Sequence, residues 1–128
     1  MKNLLPAFVL VVLFTACSKS DDSVVTGPNA SVNTTIASSI TQTTAMSGGV
    51  VVSSGSSTVT ARGVVWSSTN PNPTVGIVGG YTIDGSGTGA FTSSLTGLSA
   101  NTTYFYRAYA TNSAGTSYGG TTTFTTLP

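Results

Sequence analysis

The run Tyr104-Phe105-Tyr106-Arg107-Ala108-Tyr109-Ala110-Thr111 alternates with the two-residue period of a strand and leaves little choice of fold. Tyr104, Tyr106, Ala108 and Ala110 share one face; Phe105, Arg107, Tyr109 and Thr111 share the other. A guanidinium is costly to bury without a partner, so the Arg107 face is expected outward. The small alanines then point inward, where an opposing sheet can come close. Short β-rich runs recur around this strand at intervals of about 8 to 16 residues, between Gly, Ser, Asn and Pro, and no helical spacing interrupts them. Strands are predicted at 32–38, 45–52, 58–67, 76–83, 89–95, 103–111 and 120–126. Residues 31–128 have the length of one two-sheet sandwich with a single core, so the chain is read as all-β, a seven-stranded antiparallel sandwich.

Composition narrows the function. There are four Lys/Arg, three acids and no His, and every acid is an Asp: Asp21, Asp22 and Asp84. Groups that move protons near neutral pH are therefore nearly absent, and no nucleic-acid-binding basic patch can be drawn. A metal site would need several carboxylates, imidazoles or thiolates, and residues 31–128 offer Asp84 alone. A Ser or Thr nucleophile would lack a base. No catalytic residue, metal or cofactor is expected. Gly85-Ser86-Gly87-Thr88-Gly89-Ala90 superficially fits a nucleotide-binding glycine loop, but Phe91 to Leu95 alternates as a strand where that loop needs a helix. The glycines are read as a hairpin turn with positive φ, and no nucleotide is expected.

The first residues read as an address. Met1-Lys2-Asn3 carries one positive side chain, and Leu4 to Ala16 is uncharged up to Cys17, the lone cysteine. Thirteen residues at 1.5 Å span about 20 Å, short of the roughly 30 Å membrane core, so residues 1–16 are read as a cleaved signal peptide. Phe14-Thr15-Ala16-Cys17 resembles a bacterial lipobox, which implies lipidation of Cys17; a lone exported cysteine has no internal disulfide partner. Ser18-Lys19-Ser20-Asp21-Asp22 resembles the short acidic signal that sends Bacteroidetes lipoproteins to the outer face of the outer membrane. Asp22-Ser23-Val24 is similar to that phylum's O-glycosylation motif and makes Ser23 a candidate acceptor. Residues 17–30 are then a lipidated N-terminus and linker. After cleavage, Lys19, Arg62 and Arg107 balance the three Asp, so electrostatic steering to a charged partner is not expected.

Leu95-Thr96-Gly97-Leu98-Ser99-Ala100-Asn101-Thr102-Thr103-Tyr104, the strand after it and Asn112-Ser113-Ala114-Gly115 together resemble the last third of a fibronectin type III domain. The resemblance implies an immunoglobulin-like sandwich with Tyr104 as its tyrosine corner and Leu98 packed beneath it. The early strand lacks that family's Trp; Trp66 instead ends the third strand, where Arg62, Val64 and Trp66 share a face whose side the pattern leaves open. That run, with Asn70-Pro71-Asn72-Pro73-Thr74, is similar to repeat modules of Bacteroidetes surface proteins.

Phe105, Arg107 and Tyr109, with Tyr118 and Trp66 nearby, form the candidate ligand face: flat rings beside a guanidinium can stack on sugars or aromatic partners, whereas cross-strand pairing favours their covering one another or the domain edge. Asn101 is read as a turn residue before Tyr104. The expected function is a non-catalytic outer-membrane lipoprotein, a lipid-anchored adhesion, spacer or assembly module meeting a surface protein or glycan. The alternatives are a carbohydrate-binding lipoprotein of a glycan-uptake system and a polymerising subunit pairing through Thr121 to Thr126.

Overall fold

The computed structural model describes residues 28–76 and 79–128. The signal peptide, Cys17, the export run from Ser18 to Asp22 and Ser23 lie outside the described residues. Eight strands follow in order: β1 (Ser31–Ser38), β2 (Ala45–Ser53), β3 (Ala61–Ser67), β4 (Gly80–Tyr81), β5 (Gly89–Leu95), β6 (Thr103–Asn112), β7 (Gly115–Tyr118) and β8 (Thr122–Thr125). They build two antiparallel sheets, one ordered β1-β2-β5 and one ordered β4-β3-β6-β7 with β8 also on β6.

Eight strands appear where seven were expected because the last one is broken. β7 pairs with Tyr109 to Asn112 and β8 with Thr103 to Tyr106. Between them Gly119 N–H still reaches the Ala108 carbonyl at 2.8 Å, but Ala108 N–H donates to Thr34 Oγ1 of β1 at 2.9 Å. A side chain from the other sheet's edge thus takes the donor that a continuous strand would have used. Gly119 permits the approach, since a Cβ there would lie 2.6 Å from the same hydroxyl. β7 lies wholly before the predicted last strand at 120–126, and it starts directly after β6 because Asn112 Oδ1 accepts Ala114 N–H at 2.9 Å and closes a tight turn.

The core lies between the sheets, where Val32, Val51, Phe91 and Leu95 meet Val64, Trp66, Tyr106, Ala108 and Ala110. Trp66 therefore faces inward, with Val64. Its β6 neighbours show why two alanines sit at the centre: a Cβ on Gly49 of β2 would come within 2.7 Å of the Ala108 methyl, so the sheets nearly touch there. Phe124 stacks on Tyr104, 5.6 Å between centroids, and meets Tyr106 edge-on at 5.4 Å. The Tyr106 hydroxyl accepts Ala37 N–H at 2.7 Å, tying the five-stranded sheet to β1.

The predicted strand at 76–83 shrinks to two residues for a local reason. Past β4 the chain stays beside β3, with Thr82 N–H on Val64 O at 2.9 Å and Asp84 N–H bonded to Arg62 O. However, the Thr82 carbonyl turns down onto the sheet and accepts the Tyr109 hydroxyl, and Val64 N–H takes Thr82 Oγ1 at 3.0 Å instead. Gly63 opposes Tyr109 across the β3–β6 ladder, and its missing Cβ is what admits that carbonyl.

The two ends of the sandwich differ. Pro28 arrives at the near pole, where its carbonyl accepts Asn112 Nδ2 at 2.7 Å and Ser56 N–H at 3.1 Å. Leu127 lies at the far pole, with its N–H on Thr41 O at 3.0 Å and its carbonyl on Asn101 N–H at 2.8 Å.

Candidate functional site

The outer face of β6 is closed by the protein itself. Phe105, Arg107 and Tyr109 do share that face, and Tyr118 pairs opposite Tyr109. Yet Tyr109 is only 2% exposed, its hydroxyl held by Thr82 and its ring met edge-on by Tyr81 at 6.4 Å. The Arg107 guanidinium lies over the Tyr118 ring at 4.0 Å and its Nε donates to Pro73 O at 2.8 Å. The Tyr118 hydroxyl in turn accepts Val75 N–H at 3.1 Å. Phe105 is half-buried between its ladder partners Ser67 and Thr123. Of the two readings of this face, the geometry favours rings covered within the domain: the segment after β3, carrying Pro73 and Val75, folds back over the cation and its ring. Trp66 lies on the opposite face.

Burial pushes the Tyr109 phenol up to about 12 from 10.0, helped by the nearby Asp84 charge and by Tyr81 and Tyr118. A group whose folded pKa is raised contributes its stability fully below its unfolded value and loses it as pH climbs to the folded one. The stability tied to this phenol should therefore vanish between pH 10 and about 12. Urea midpoints across that window should fall more steeply for wild type than for Tyr109→Phe; parallel curves would refute this.

Asp84 anchors a polar network that the sequence did not reveal. Its carboxylate accepts the Thr82 hydroxyl at 2.6 Å and the hydroxyl of Ser93 on β5, joining the two sheets. Arg62 binds the backbone instead: Nε donates to Asp84 O at 3.0 Å, Nη1 to Thr88 O at 3.0 Å and to Gly87 O at 3.3 Å. The positive φ expected at Gly85 and Gly87 is present, at 91° and 86°. The segment is no hairpin, however, because it crosses from one sheet to the other and wraps the guanidinium.

One cleft of about 280 Å³ opens at the far pole, beside the end of β3. Trp66 and Tyr104 wall it, with Ser68, Thr69 and Thr96 at its lip. Gly79, Gly80 and Gly97 contribute only backbone to its lining, and no charged side chain takes part. Among the described residues Arg62, Asp84 and Arg107 are the only charged side chains, and each is engaged elsewhere.

No protein family model matches the sequence, and no match is found among the curated proteins. Solved structures do match. The sensor domain of the anti-sigma factor RsgI4 from Pseudobacteroides cellulosolvens gives a TM-score of 0.55 at 20% identity, over 79% of this chain and 96% of that one. A fibronectin type III domain of the human KIAA0970 protein gives 0.51 at 20% identity, over 75% and 72%. The 6th fibronectin type III domain of human fibronectin type III domain containing protein 3 gives 0.50 at 23% identity, over 85% and 92%. The fold is a fibronectin type III-like β-sandwich. In this fibronectin type III-like frame the Tyr104 hydroxyl accepts Ser99 N–H at 2.8 Å, and Leu98 is buried in the same core. Asn101, at the corner, takes φ 50°, a conformation Asn tolerates better than most residues.

Proposed function

We propose that the chain is a non-catalytic surface lipoprotein, anchored through Cys17 in the outer membrane, whose sparsely charged sandwich serves as an adhesion, spacer or assembly module. The observation that carries this reading is the placement of Pro28 at the near pole, pinned by Asn112 and Ser56. A tether from Cys17 would join there and turn the far pole, with its cleft, toward the exterior. Non-catalytic action is supported by the state of the hydroxyls: Ser93 and Thr82 do meet the Asp84 carboxylate, but Ser93 is fully buried and cannot attack a substrate. The scarcity of charge, three charged side chains each engaged within the domain, also fits contacts made by shape and hydroxyl groups rather than by charge.

Lipid labelling and protease shaving of intact Bacteroidetes cells test the anchor. Wild type is expected to be labelled and shaved, and Cys17→Ala to be unlabelled and released. Absence of both lipid and exposure in wild type would remove the reading and leave only the fold.

A further inference from the structure

We infer that the far-pole cleft is a binding site for one uncharged sugar ring of a larger glycan. The inference deepens the recognition reading above and takes from it only that this pole faces outward.

The chemistry of the walls selects the ligand. Trp66 and Tyr104 supply apolar ring surface, and Ser68, Thr69 and Thr96 supply exposed hydroxyls that can both donate and accept. A ligand suited to this mixture has an apolar face edged with hydroxyls. A charged group would lose its hydration here without finding a counter-charge, since the cleft has none. A purely apolar side chain would leave the lip hydroxyls without partners.

Trp66 points the same way. The residue is 8% exposed, and its indole N–H meets no acceptor among the described residues, an arrangement that protein interiors seldom leave unanswered. Gly80, paired with Trp66 across β3 and β4, lies against the Nε1–Cε2–Cζ2 edge of the indole, where any Cβ would overlap the ring. A sugar hydroxyl reaching past the glycine backbone can accept this N–H. The volume, about 280 Å³, sits at the small end of ligand sites and suits a single ring. Affinity from one ring is weak, with a Kd on the order of 1 mM.

Trp66 is the only tryptophan of the chain, so its emission reports on the cleft directly. The full chain, solubilised in a polyoxyethylene detergent, is titrated with maltohexaose, cellohexaose, mannohexaose, an oligogalacturonate and a neutral Ser/Tyr peptide. At least one neutral oligosaccharide should shift the emission saturably while the oligogalacturonate and the peptide do not. Thr96→Phe, a change at an exposed lip position, should weaken that binding at least tenfold and leave the melting temperature unchanged. The proposal is overturned if no neutral oligosaccharide shifts Trp66, if only the acidic oligomer or the peptide does, or if a folded Thr96→Phe binds like wild type. Failure of surface display is read separately: binding in detergent by a chain never shaved on cells retains the site and removes the anchor, and shaving without binding does the reverse.

Discussion

Gly63→Ala should lower the unfolding free energy by about 3 to 5 kcal/mol, a large share of the roughly 5 to 15 kcal/mol available to a domain of this size. The added methyl would fall well inside van der Waals contact of the Thr82 carbonyl, which is backbone and cannot rotate away. Relief requires lifting the strip from β4 to Asp84 off the sheet. That strip would lose Thr82 N–H to Val64 O, Val64 N–H to Thr82 Oγ1 and the Tyr109 hydroxyl's acceptor together. Gly120→Ala, where a Cβ meets nothing within 4 Å, serves as the control and should stay within about 0.5 kcal/mol of wild type. A second test separates this cause from general overpacking. If the methyl acts by lifting Thr82, Tyr109→Phe should cost little in the Gly63→Ala background and about 1 kcal/mol or more alone. Additive losses in chemical denaturation, or a Gly63→Ala penalty below about 1 kcal/mol, would sink the account.

The same three residues show where sequence reading succeeds and stops. Alternation in β6 assigned every inward and outward side chain from Tyr104 to Thr111 correctly, because the two-residue period is a local property. What covers the outward set is not local. Pro73 reaches Arg107 across thirty-four residues and Thr82 reaches Tyr109 across twenty-seven, and neither contact leaves a mark in the strand pattern. Arg107 indicated the outer face for a sound reason, its charge, but a carbonyl and a tyrosine ring meet that charge without opening the face to ligand. β7 escaped notice because Thr34, seventy-four residues from Ala108, divides what would otherwise be one strand. The cleft escaped for a related reason: Trp66, Gly80, Thr96 and Tyr104 come from four separate segments, and the face of Trp66 could not be read from one polar and two apolar residues. Two glycine signals in the sequence do point to such contacts. Gly63 inside an apolar strand and Gly79-Gly80, whose second glycine is the ladder partner of Trp66, both mark close backbone approach.

Arg62→Ala should cost about 2 to 4 kcal/mol, although the residue is half-exposed and its guanidinium bonds to backbone carbonyls rather than to the Asp84 carboxylate. The guanidinium occupies the place that a bound cation would take in a loop of converging carbonyls, with the Asp84, Gly87 and Thr88 oxygens arranged on it and the Phe91 ring 5.3 Å from its centre. Removing it takes away the one donor group shared by those oxygens across the sheet-to-sheet crossing, so that nothing but water links them and the loop is freed to open. Opening should be visible at one atom. Gly87 N–H donates to the carbonyl of Val59, a residue with no exposure, so its hydrogen exchange should quicken in Arg62→Ala while amides at the far pole keep their protection. Arg62→Lys should recover less than half of the loss, because an ammonium is a point charge that cannot span the carbonyls as a planar fork does while lying against a ring. If lysine restores stability fully, charge alone holds the loop. If alanine leaves Gly87 exchange unchanged, the guanidinium merely decorates a crossing that Asp84, Thr82 and Ser93 already fix.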